Sequence, residues 1–144
     1  MISRIIRPLA AAAFAALAVV AVSSATPGPA EAAVAADKRA LCKPGMFCIF
    51  GDTGYRGLFF GSATNVPNVG TATAPFGFNI NDHTTSFWNR TNRDICIYAD
   101  TNFRKKMFWR VNNGTLVVGP VGAGRSTSNI GSDTNDKLSS FGPC

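Results

Sequence analysis

Two hexapeptides decide the fold of this chain: NDHTTS at residues 81–86 and NDKLSS at residues 135–140. Both begin with Asn-Asp, both end with a hydroxyl residue and a serine, and a phenylalanine follows each of them, Phe87 and Phe141. One such motif would be an ordinary polar turn, because Asn, Asp, Ser and Thr side chains bond their own backbone. Two copies in a short chain indicate an internal repeat, which has to be identified before single elements are interpreted.

An aromatic motif stands before each hexapeptide and completes the repeat. FGDTGYRG at residues 50–57 precedes the first hexapeptide, and YADTNFRK at residues 98–105 precedes the second. Each consists of an aromatic residue, four others, a second aromatic and an arginine, and each follows a strand-like stretch with a cysteine in it, FCIF or ICIY. The chain therefore repeats one unit, and two such four-strand units are expected to pack as a sandwich of Greek keys.

The remaining sequence also predicts an all-β domain. From Phe47 onward the chain is rich in Phe, Val, Ile, Tyr and Thr and has no long stretch of helical period. Gly, Pro and Asn interrupt it roughly every eight to twelve residues, as turns do between short strands. NNG at residues 112–114 is the expected hairpin turn, because Asn and Gly tolerate positive φ. The predicted strands are residues 47–50, 58–63, 86–89, 95–98, 107–111, 115–118 and 139–141.

The beginning of the chain has the pattern of a secretory signal. Arg4 and Arg7 precede an apolar run at residues 9–22, which matches a basic n-region followed by an h-region. The run is too short to cross a bilayer, which takes about 20 residues. Small residues near Ala32 offer a cleavage point, so we expect a secreted, extracellular protein. The expected organisation is a signal peptide at residues 1–32, a flexible mature N-terminus at 33–41, and one domain at 42–144 with Greek keys at about 42–91 and 92–144.

All four cysteines follow the predicted signal peptide: Cys42, Cys48, Cys96 and Cys144. An even number of cysteines in an exported chain predicts disulfides, and four of them allow three pairings. Zinc would require paired C-x-x-C spacing, which this chain lacks. The thiols are therefore interpreted as structural.

Positive charge is modest, with a formal net charge of +6 for the full chain. The basic side chains cluster once, among aromatic residues: Arg104, Lys105, Lys106 and Arg110 with Phe103, Phe108 and Trp109. Such a mixture can bind nucleic acid or an acidic surface. Export makes nucleic acid a poor partner, so we favour a solvated hairpin with its aromatic rings in the core, and we expect neither nucleic acid nor membrane as a partner.

Catalytic signals are scarce. His83 is the only histidine and falls at a variable position of a hexapeptide, so a nucleophile and base pair has one candidate base without an evident partner. GPVGAGRS at residues 119–126 resembles a phosphate-binding loop, but Arg125 replaces the required lysine and no helical pattern follows. The sequence therefore predicts a protein that is not an enzyme.

The repeated motifs resemble the βγ-crystallin Greek key with its calcium-binding sequence. More narrowly, the chain resembles secreted bacterial proteins of the actinomycete metalloproteinase inhibitor family, peptidase inhibitors of βγ-crystallin fold. The stretches that carry the resemblance are CKPGMFCIF at the mature start, GFNINDHTTSFWNRT in the middle and NIGSDTNDKLSSF at the end. It covers nearly all of the chain after the signal and implies an all-β, βγ-crystallin-like sandwich of two Greek keys, stapled by disulfides.

The resemblance also implies calcium sites at the hexapeptides. It assigns side-chain oxygens to Asp82, Thr85, Asp136 and Ser139, backbone carbonyls to His83 and Lys137, and bracing of the loops to Asn81, Asn135, Ser86 and Ser140. Each ion would be shared with the aromatic hairpin of the other unit, near Gly51 and Asp52 or near Ala99 and Asp100. One or two carboxylates per site imply a modest affinity for Ca²⁺, roughly 10⁻⁵ to 10⁻³ M. The alternative is a pair of capped polar turns that need no metal.

Two further expectations follow from the resemblance. In the crystallin arrangement the first and fourth strands of a unit are neighbours, which would join Cys96 to Cys144 and leave Cys42 for Cys48. A Cys48–Cys96 bridge is the alternative. The second aromatic motif has Lys105 where the family and the first motif have glycine, and a lysine has a steric cost there if the position requires positive φ.

By resemblance the chain is a secreted, monomeric inhibitor whose partner is a protease, most specifically a metalloproteinase. The sequence marks no reactive bond, so the inhibitory loop is unknown, and residues 43–46 are one candidate. Two other functions suit the same fold, because fold does not determine function. One is a calcium-stabilised structural or stress-protective protein, and the other is a toxin-like secreted protein.

Overall fold

The structure, a computed structural model, describes residues 36–144. The predicted signal peptide at 1–32 lies outside the described residues, and the predicted domain boundaries stay a prediction. Within the described part of the chain, no helix has the length and apolar character needed to span a bilayer. At its start, Arg39–Leu41 forms a 3₁₀ turn, and the Lys38 N–H donates to the Tyr55 carbonyl at 2.8 Å.

The described chain is mostly β, as the sequence predicts. Its strands are β1 (Phe47–Asp52), β2 (Arg56–Ser62), β3 (Ser86–Asn89), β4 (Cys96–Asp100), β5 (Arg104–Lys106), β6 (Trp109–Arg110), β7 (Leu116–Val117), β8 (Ser126–Thr127) and β9 (Ser140–Gly142). One short helix, α1 (Val69–Thr73), continues into a 3₁₀ turn at Ala74–Phe76. The strands that carry the repeat are β1 and β4, and each of them pairs with a strand on both of its sides.

The strands form two antiparallel sheets and a separate hairpin. The first sheet has the order β2-β1-β3-β8, the second has β5-β4-β9, and β6 pairs with β7 alone. The outer pairings cross between the halves of the sequence. Phe87 of the first unit pairs with Thr127 of the second, and Val66 of the first unit bridges Phe141 of the second. Each sheet therefore draws an outer partner from the other unit.

The core lies between the two sheets and is built by both units. The ring of Phe47 packs 5.7 Å from that of Phe87 and 4.8 Å from that of Phe141, the two phenylalanines that follow the hexapeptides. Large buried apolar side chains contribute most of the hydrophobic stabilisation of such a core, roughly 1.5–3 kcal/mol each. On the opposite face of β1, Phe50 and Cys48 pack with Cys42 in a second, smaller cluster.

Several elements differ from the sequence-based expectations. Helix α1 was not predicted; it is short and begins where the Asn68 side chain accepts a hydrogen bond from the Thr71 N–H at 3.0 Å. Strands β5 and β8 were not predicted either. The strands expected at 107–111 and 115–118 are shortened to the two-residue strands β6 and β7. Pairs this short carry no alternating pattern in the sequence.

Two disulfides close the domain. Cys42 is joined to Cys48 and Cys96 to Cys144, which is the pairing that the resemblance implied, and the alternative Cys48–Cys96 bridge is absent. Among residues 36–144 no cysteine is free. The first bridge closes a short loop before β1, and the second ties the first strand of the second unit to the last residue of the chain.

Candidate functional site

In the first unit, the last residue of the hexapeptide holds the aromatic hairpin. The Ser86 hydroxyl donates to the Asp52 carbonyl at 2.8 Å and accepts from the Tyr55 N–H at 3.1 Å. The Tyr55 ring packs edge-on against Phe50, with 5.5 Å between ring centroids. Tyr55 also has positive φ, so the serine satisfies the backbone of a turn that would otherwise leave two polar groups unpaired.

The second unit repeats this arrangement. The Ser140 hydroxyl donates to the Asp100 carbonyl at 2.6 Å and accepts from the Phe103 N–H at 3.2 Å. The Phe103 ring packs edge-on against Tyr98 at 5.8 Å. The two serines therefore occupy equivalent places and hold the hairpin of their own unit.

The two hexapeptides lie side by side and bond to each other. The Asp82 N–H donates to the Leu138 carbonyl at 3.3 Å, and the Asp136 N–H donates to the Thr84 carbonyl at 3.2 Å. Asp82 and Asp136 share a left-handed backbone, with φ 56° and 55°, and both side chains are exposed. This pseudo-symmetric contact places the backbone of each aspartate next to the other hexapeptide.

The candidate ligand oxygens meet in two places. Across the units, the Ser139 hydroxyl donates to Asp82 Oδ1 at 3.1 Å. Within the first unit, the Thr85 hydroxyl donates to the Gly51 carbonyl at 2.9 Å, and a Cβ built on Gly51 would lie 3.6 Å from the His83 carbonyl oxygen. The hexapeptide thus contacts the hairpin of its own unit, whereas the resemblance implied the hairpin of the other unit. Across the units, the contact between candidate ligand side chains is the one between Ser139 and Asp82.

These oxygen atoms are suitable ligands for a hard cation, which they would bind with modest affinity. They are all oxygens, namely a carboxylate, a hydroxyl and backbone carbonyls, which are the ligands that Ca²⁺ takes at about 2.3–2.6 Å. Neighbouring oxygens in such a shell lie about 3 Å apart, close to the separations of the Asp82–Ser139 and Thr85–Gly51 pairs. Within residues 36–144 no cluster of three Asp, Glu, His or Cys side chains is suited to a metal, so hydroxyl and carbonyl oxygens would have to complete any site.

The bracing asparagines are also equivalent. The Asn81 Nδ2 donates to the neighbouring Asp82 at 2.7 Å, and the Asn135 Nδ2 donates to Asp136 at 2.9 Å. The Oδ1 atoms of both asparagines are buried and have no hydrogen-bond donor among the described residues. Each asparagine therefore orients the carboxylate next to it, at the cost of an unpaired amide oxygen.

An ion pair joins the separate hairpin to the second hexapeptide loop. Arg110 of β6 donates from Nε and Nη2 to the two carboxylate oxygens of Asp133, both at 3.1 Å. These hydrogen bonds lower the pKa of Asp133 and raise the pKa of Arg110. Lys105, Lys106 and Lys137 line the depression beside Asp133. Positive charge therefore collects beside the second hexapeptide. This charge disfavours cation binding at the second hexapeptide relative to the first.

The features that could have indicated other chemistry are structural here. The His83 side chain is exposed on its loop. The three residues of β5, Arg104–Lys106, are exposed. Trp109 of the same cluster is buried and packs edge-on against Phe87 at 5.1 Å, whereas Phe108 is 47% exposed, so the expectation that the aromatic rings lie in the core is met only in part. The glycine-rich stretch at 119–126 is a connection that leads into β8.

The candidate inhibitory loop at 43–46 lies inside the Cys42–Cys48 bridge. The Gly45 N–H donates to the Arg90 carbonyl at 2.8 Å, and the Arg90 N–H donates to the Met46 carbonyl at 2.8 Å. The Arg90 guanidinium also donates to the Cys42 carbonyl at 2.6 Å. The loop is therefore fixed against the segment that follows β3.

The repeated hairpins, the exchanged outer strands and the paired hexapeptides define a βγ-crystallin domain. Among solved structures, one from work on the evolution of the eye lens βγ-crystallin domain fold is 16% identical with a TM-score of 0.50, covering 75% of this chain and 89% of that chain. A βγ-crystallin from Ciona intestinalis is 18% identical with a TM-score of 0.47, covering 69% of this chain and 100% of that chain. A βγ-crystallin domain from Clostridium beijerinckii is 19% identical with a TM-score of 0.46, covering 67% and 94%.

The sequence also matches the family model "Peptidase inhibitor family I36" over residues 35–111. The chain belongs to this family, which makes it a peptidase inhibitor of βγ-crystallin fold, with a protease as its partner, and not an enzyme. A comparison with curated proteins finds no significant match. Its two disulfides and its family indicate an extracellular protein, because disulfides persist in oxidising compartments.

Proposed function

We propose that the protein is a monomeric inhibitor of secreted metalloproteinases. The observation that carries the proposal is the family match over residues 35–111, which spans the first unit and the start of the second. The metalloproteinase class is supported by the resemblance of three stretches, at the mature start, around the first hexapeptide and around the second, to secreted metalloproteinase inhibitors.

The construction of the domain suits inhibition. Two disulfides, two hexapeptide-braced hairpins and exchanged outer strands hold the surface loops in one conformation. A binding loop that is ordered before docking loses little conformational entropy on association, so more of the contact energy becomes affinity. Protease–inhibitor complexes are accordingly among the tightest of standard-sized interfaces, and their backbones move little on binding.

The test is a titration of the secreted protein against one protease of each class. A thermolysin-like metalloproteinase, a chymotrypsin-like serine protease, and a cysteine and an aspartic protease are assayed, with calcium present to keep the metalloproteinase folded. Stoichiometric inhibition of the metalloproteinase alone is expected. Inhibition of another class instead would contradict the metalloproteinase assignment while leaving the inhibitor family intact. Gel filtration of the free protein tests the monomeric state.

We also propose that Ca²⁺ binds at the paired hexapeptides and stabilises the domain. One site would use the side chains of Asp82 and Ser139 with the Lys137 carbonyl. The other would use Asp136 and Thr85 with the carbonyls of His83 and Gly51. The Asp82–Ser139 contact, between residues 57 positions apart, supports this, because it joins the two units where a cation would join them. A bound cation would supply charge neutralisation and a cross-link between the hexapeptides.

Thermal unfolding with and without calcium tests this proposal. At a calcium concentration 100 times the dissociation constant, binding to the folded state alone adds about 2.7 kcal/mol to the free energy of unfolding. Asp82→Asn and Asp136→Asn are expected to reduce this increment. The matched control is Asp94→Asn, since Asp94 is an exposed carboxylate outside the hexapeptides. Equal stability of the wild-type protein in calcium and in chelator would contradict calcium binding.

A further inference from the structure

A short exposed segment connects the two units. Residues 91–94, which follow β3 and precede β4, are here called the ridge. Asn92, Arg93 and Asp94 are exposed, while Thr91, the first residue of the ridge, is 8% exposed and Ile95, which follows the ridge, is 2% exposed. The ridge is therefore a short exposed segment with both of its ends anchored in the domain.

A buried amide supports the ridge from beneath. Asn89, the last residue of β3, is 0% exposed. Its Nδ2 donates to the Arg93 carbonyl at 2.8 Å, and its Oδ1 accepts from the Thr91 N–H at 3.0 Å and from the Thr91 hydroxyl at 2.6 Å. The same Nδ2 donates to the Val121 carbonyl at 2.8 Å. One side chain thus fixes both ends of the ridge and ties them to the interior of the second unit.

Backbone pairs hold the flanks of the ridge. Before it, Arg90 exchanges hydrogen bonds with Gly45 and Met46, both at 2.8 Å. After it, Ile95 and Val121 exchange both of their backbone hydrogen bonds, at 3.1 and 2.7 Å. We expect this backbone to keep its conformation when the exposed side chains are removed, because none of these backbone bonds uses them. Among the exposed ridge side chains, that of Arg93 is bonded elsewhere in the domain, where its Nη2 donates to Asn65 Oδ1 at 3.1 Å.

The surface beside the ridge is recessed. A depression of about 410 Å³ is lined by Gly45, Ala63 and the four residues Arg90, Thr91, Asn92 and Arg93. A second depression of about 380 Å³ adjoins Asp94 and is lined further by Trp109, Val111, Val117, Pro120, Gly122 and Arg125. The ridge residues therefore form part of the rim of both depressions.

We propose that the ridge at residues 91–94 is the inhibitory loop, the segment that enters the active-site cleft of the protease. The proposal rests on the proposed inhibitory function. A protease cleft binds a stretch of a few residues, and an exposed segment with an anchored backbone meets it without the ordering cost that a mobile loop would have. The Asn89 amide and the flanking backbone pairs supply that rigidity, and Asn92, Arg93 and Asp94 supply the contacting side chains.

The loop at 43–46 is the competing location, because it is exposed, is closed by a disulfide and lies next to Arg90. The two locations predict different mutants. Asn92→Ala/Arg93→Ala/Asp94→Ala removes the ridge side chains, and Lys43→Ala/Pro44→Ala removes those of the other loop. Arg104→Ala/Lys106→Ala on exposed β5 is the control for changes of surface charge. All replaced residues are exposed, so unfolding temperatures within a few degrees of wild type are expected, and they are measured first.

The inhibition constant of each variant is then measured against whichever protease class the wild-type protein inhibits. The ridge variant is expected to raise it at least about thirtyfold, since a few central side chains carry most of the energy of an interface. The other two variants are expected to change it by less than about threefold. An unchanged constant for the ridge variant, or a large loss confined to the Lys43→Ala/Pro44→Ala variant, overturns the proposal.

Hydrogen exchange on the wild-type complex provides a measurement that needs no variant. Slower exchange in the peptide that contains residues 91–94 is expected when the protease is bound, and unchanged exchange there overturns the proposal. Inhibition of a serine protease in place of a metalloproteinase would contradict the proposed target class only, because the ridge is then tested on that enzyme. Failure to inhibit any class overturns the proposed function and the ridge together.

Discussion

Lys105 lies at φ 57°, in the left-handed region that its counterpart Gly57 occupies at φ 72°. The repeat therefore requires the same backbone conformation at both positions, although only the first unit has glycine there. A residue with a Cβ is disfavoured in this region by roughly 1–2 kcal/mol. At Gly57 an added Cβ would also lie 2.5 Å from Asp52 Oδ2, so the two positions differ in the room that surrounds them.

Replacing Gly57 and replacing Lys105 should therefore have opposite effects on the free energy of unfolding. Gly57→Ala is expected to lower the free energy of unfolding by about 2 kcal/mol or more, through backbone strain and the collision with Asp52. Lys105→Gly is expected to raise it by no more than about 1 kcal/mol, because the entropy of glycine in the unfolded chain offsets part of the relief. Urea unfolding of both variants measures the difference, and a neutral Gly57→Ala would contradict this account.

Removing the hydroxyl of Thr84 is expected to stabilise the protein. Its side chain is 0% exposed and Oγ1 has no partner among the described residues, while the equivalent residue of the second hexapeptide is Leu138. Thr84→Val should stabilise the protein by about 1 kcal/mol, because a buried unpaired polar group is costly. The neighbouring Thr85→Val is the matched control and should destabilise, since it removes the hydrogen bond to the Gly51 carbonyl. Thermal unfolding that ranks the two variants the other way would exclude this explanation.

The two bracing serines are expected to contribute equally. Ser86→Ala and Ser140→Ala each leave a backbone carbonyl and a backbone N–H of a hairpin unpaired, which should lower the free energy of unfolding by about 1–3 kcal/mol. The exposed Ser132 is the control, and its replacement by alanine should change stability by less than about 0.5 kcal/mol. The double variant should lose about the sum of the single losses, because the two serines share no partner. Chemical denaturation of the four variants checks the ranking.

The two disulfides should differ in what their removal costs. The Cys96–Cys144 bridge spans a sequence separation of 48, and the Cys42–Cys48 bridge spans 6. Loop-closure entropy predicts losses of about 4 and about 2 kcal/mol for the Cys→Ser pairs. Unfolding temperatures of the two paired variants under oxidising conditions test this. Equal losses would mean that the short bridge acts by packing in the cluster around Phe50 more than by restricting the unfolded chain.

Local motifs are the part of the fold that the sequence predicts well. The aromatic hairpins and the hexapeptides are short, repeat almost residue by residue, and determine where β1, β4 and β9 lie. The exchanged partners were not predictable, because Val66 makes a single bridge and β8 has two residues. An element of one or two residues has no period to detect. The sequence shows that Lys105 replaces the glycine of the first motif. Its positive φ shows that the second unit keeps the same backbone conformation without a glycine.

Contacts between distant residues limit what the sequence indicates about the sites. The resemblance implies a cation between each hexapeptide and the hairpin of the other unit, and nothing in the sequence indicated the hydrogen bond that Ser139 makes to Asp82 across the units. The role of Asn89 was equally invisible. A single asparagine after a strand predicts a turn, and only the approach of Val121, 32 positions later, makes its amide the support of the ridge.

The pairing of Phe87 with Thr127 and the bridge between Val66 and Phe141 make the folding of each unit depend on the other. Each unit alone would leave a sheet with an open edge and an uncovered phenylalanine, so we expect that neither unit folds when it is expressed without the other. Insertions between the two units should be tolerated only where they leave these pairings within reach.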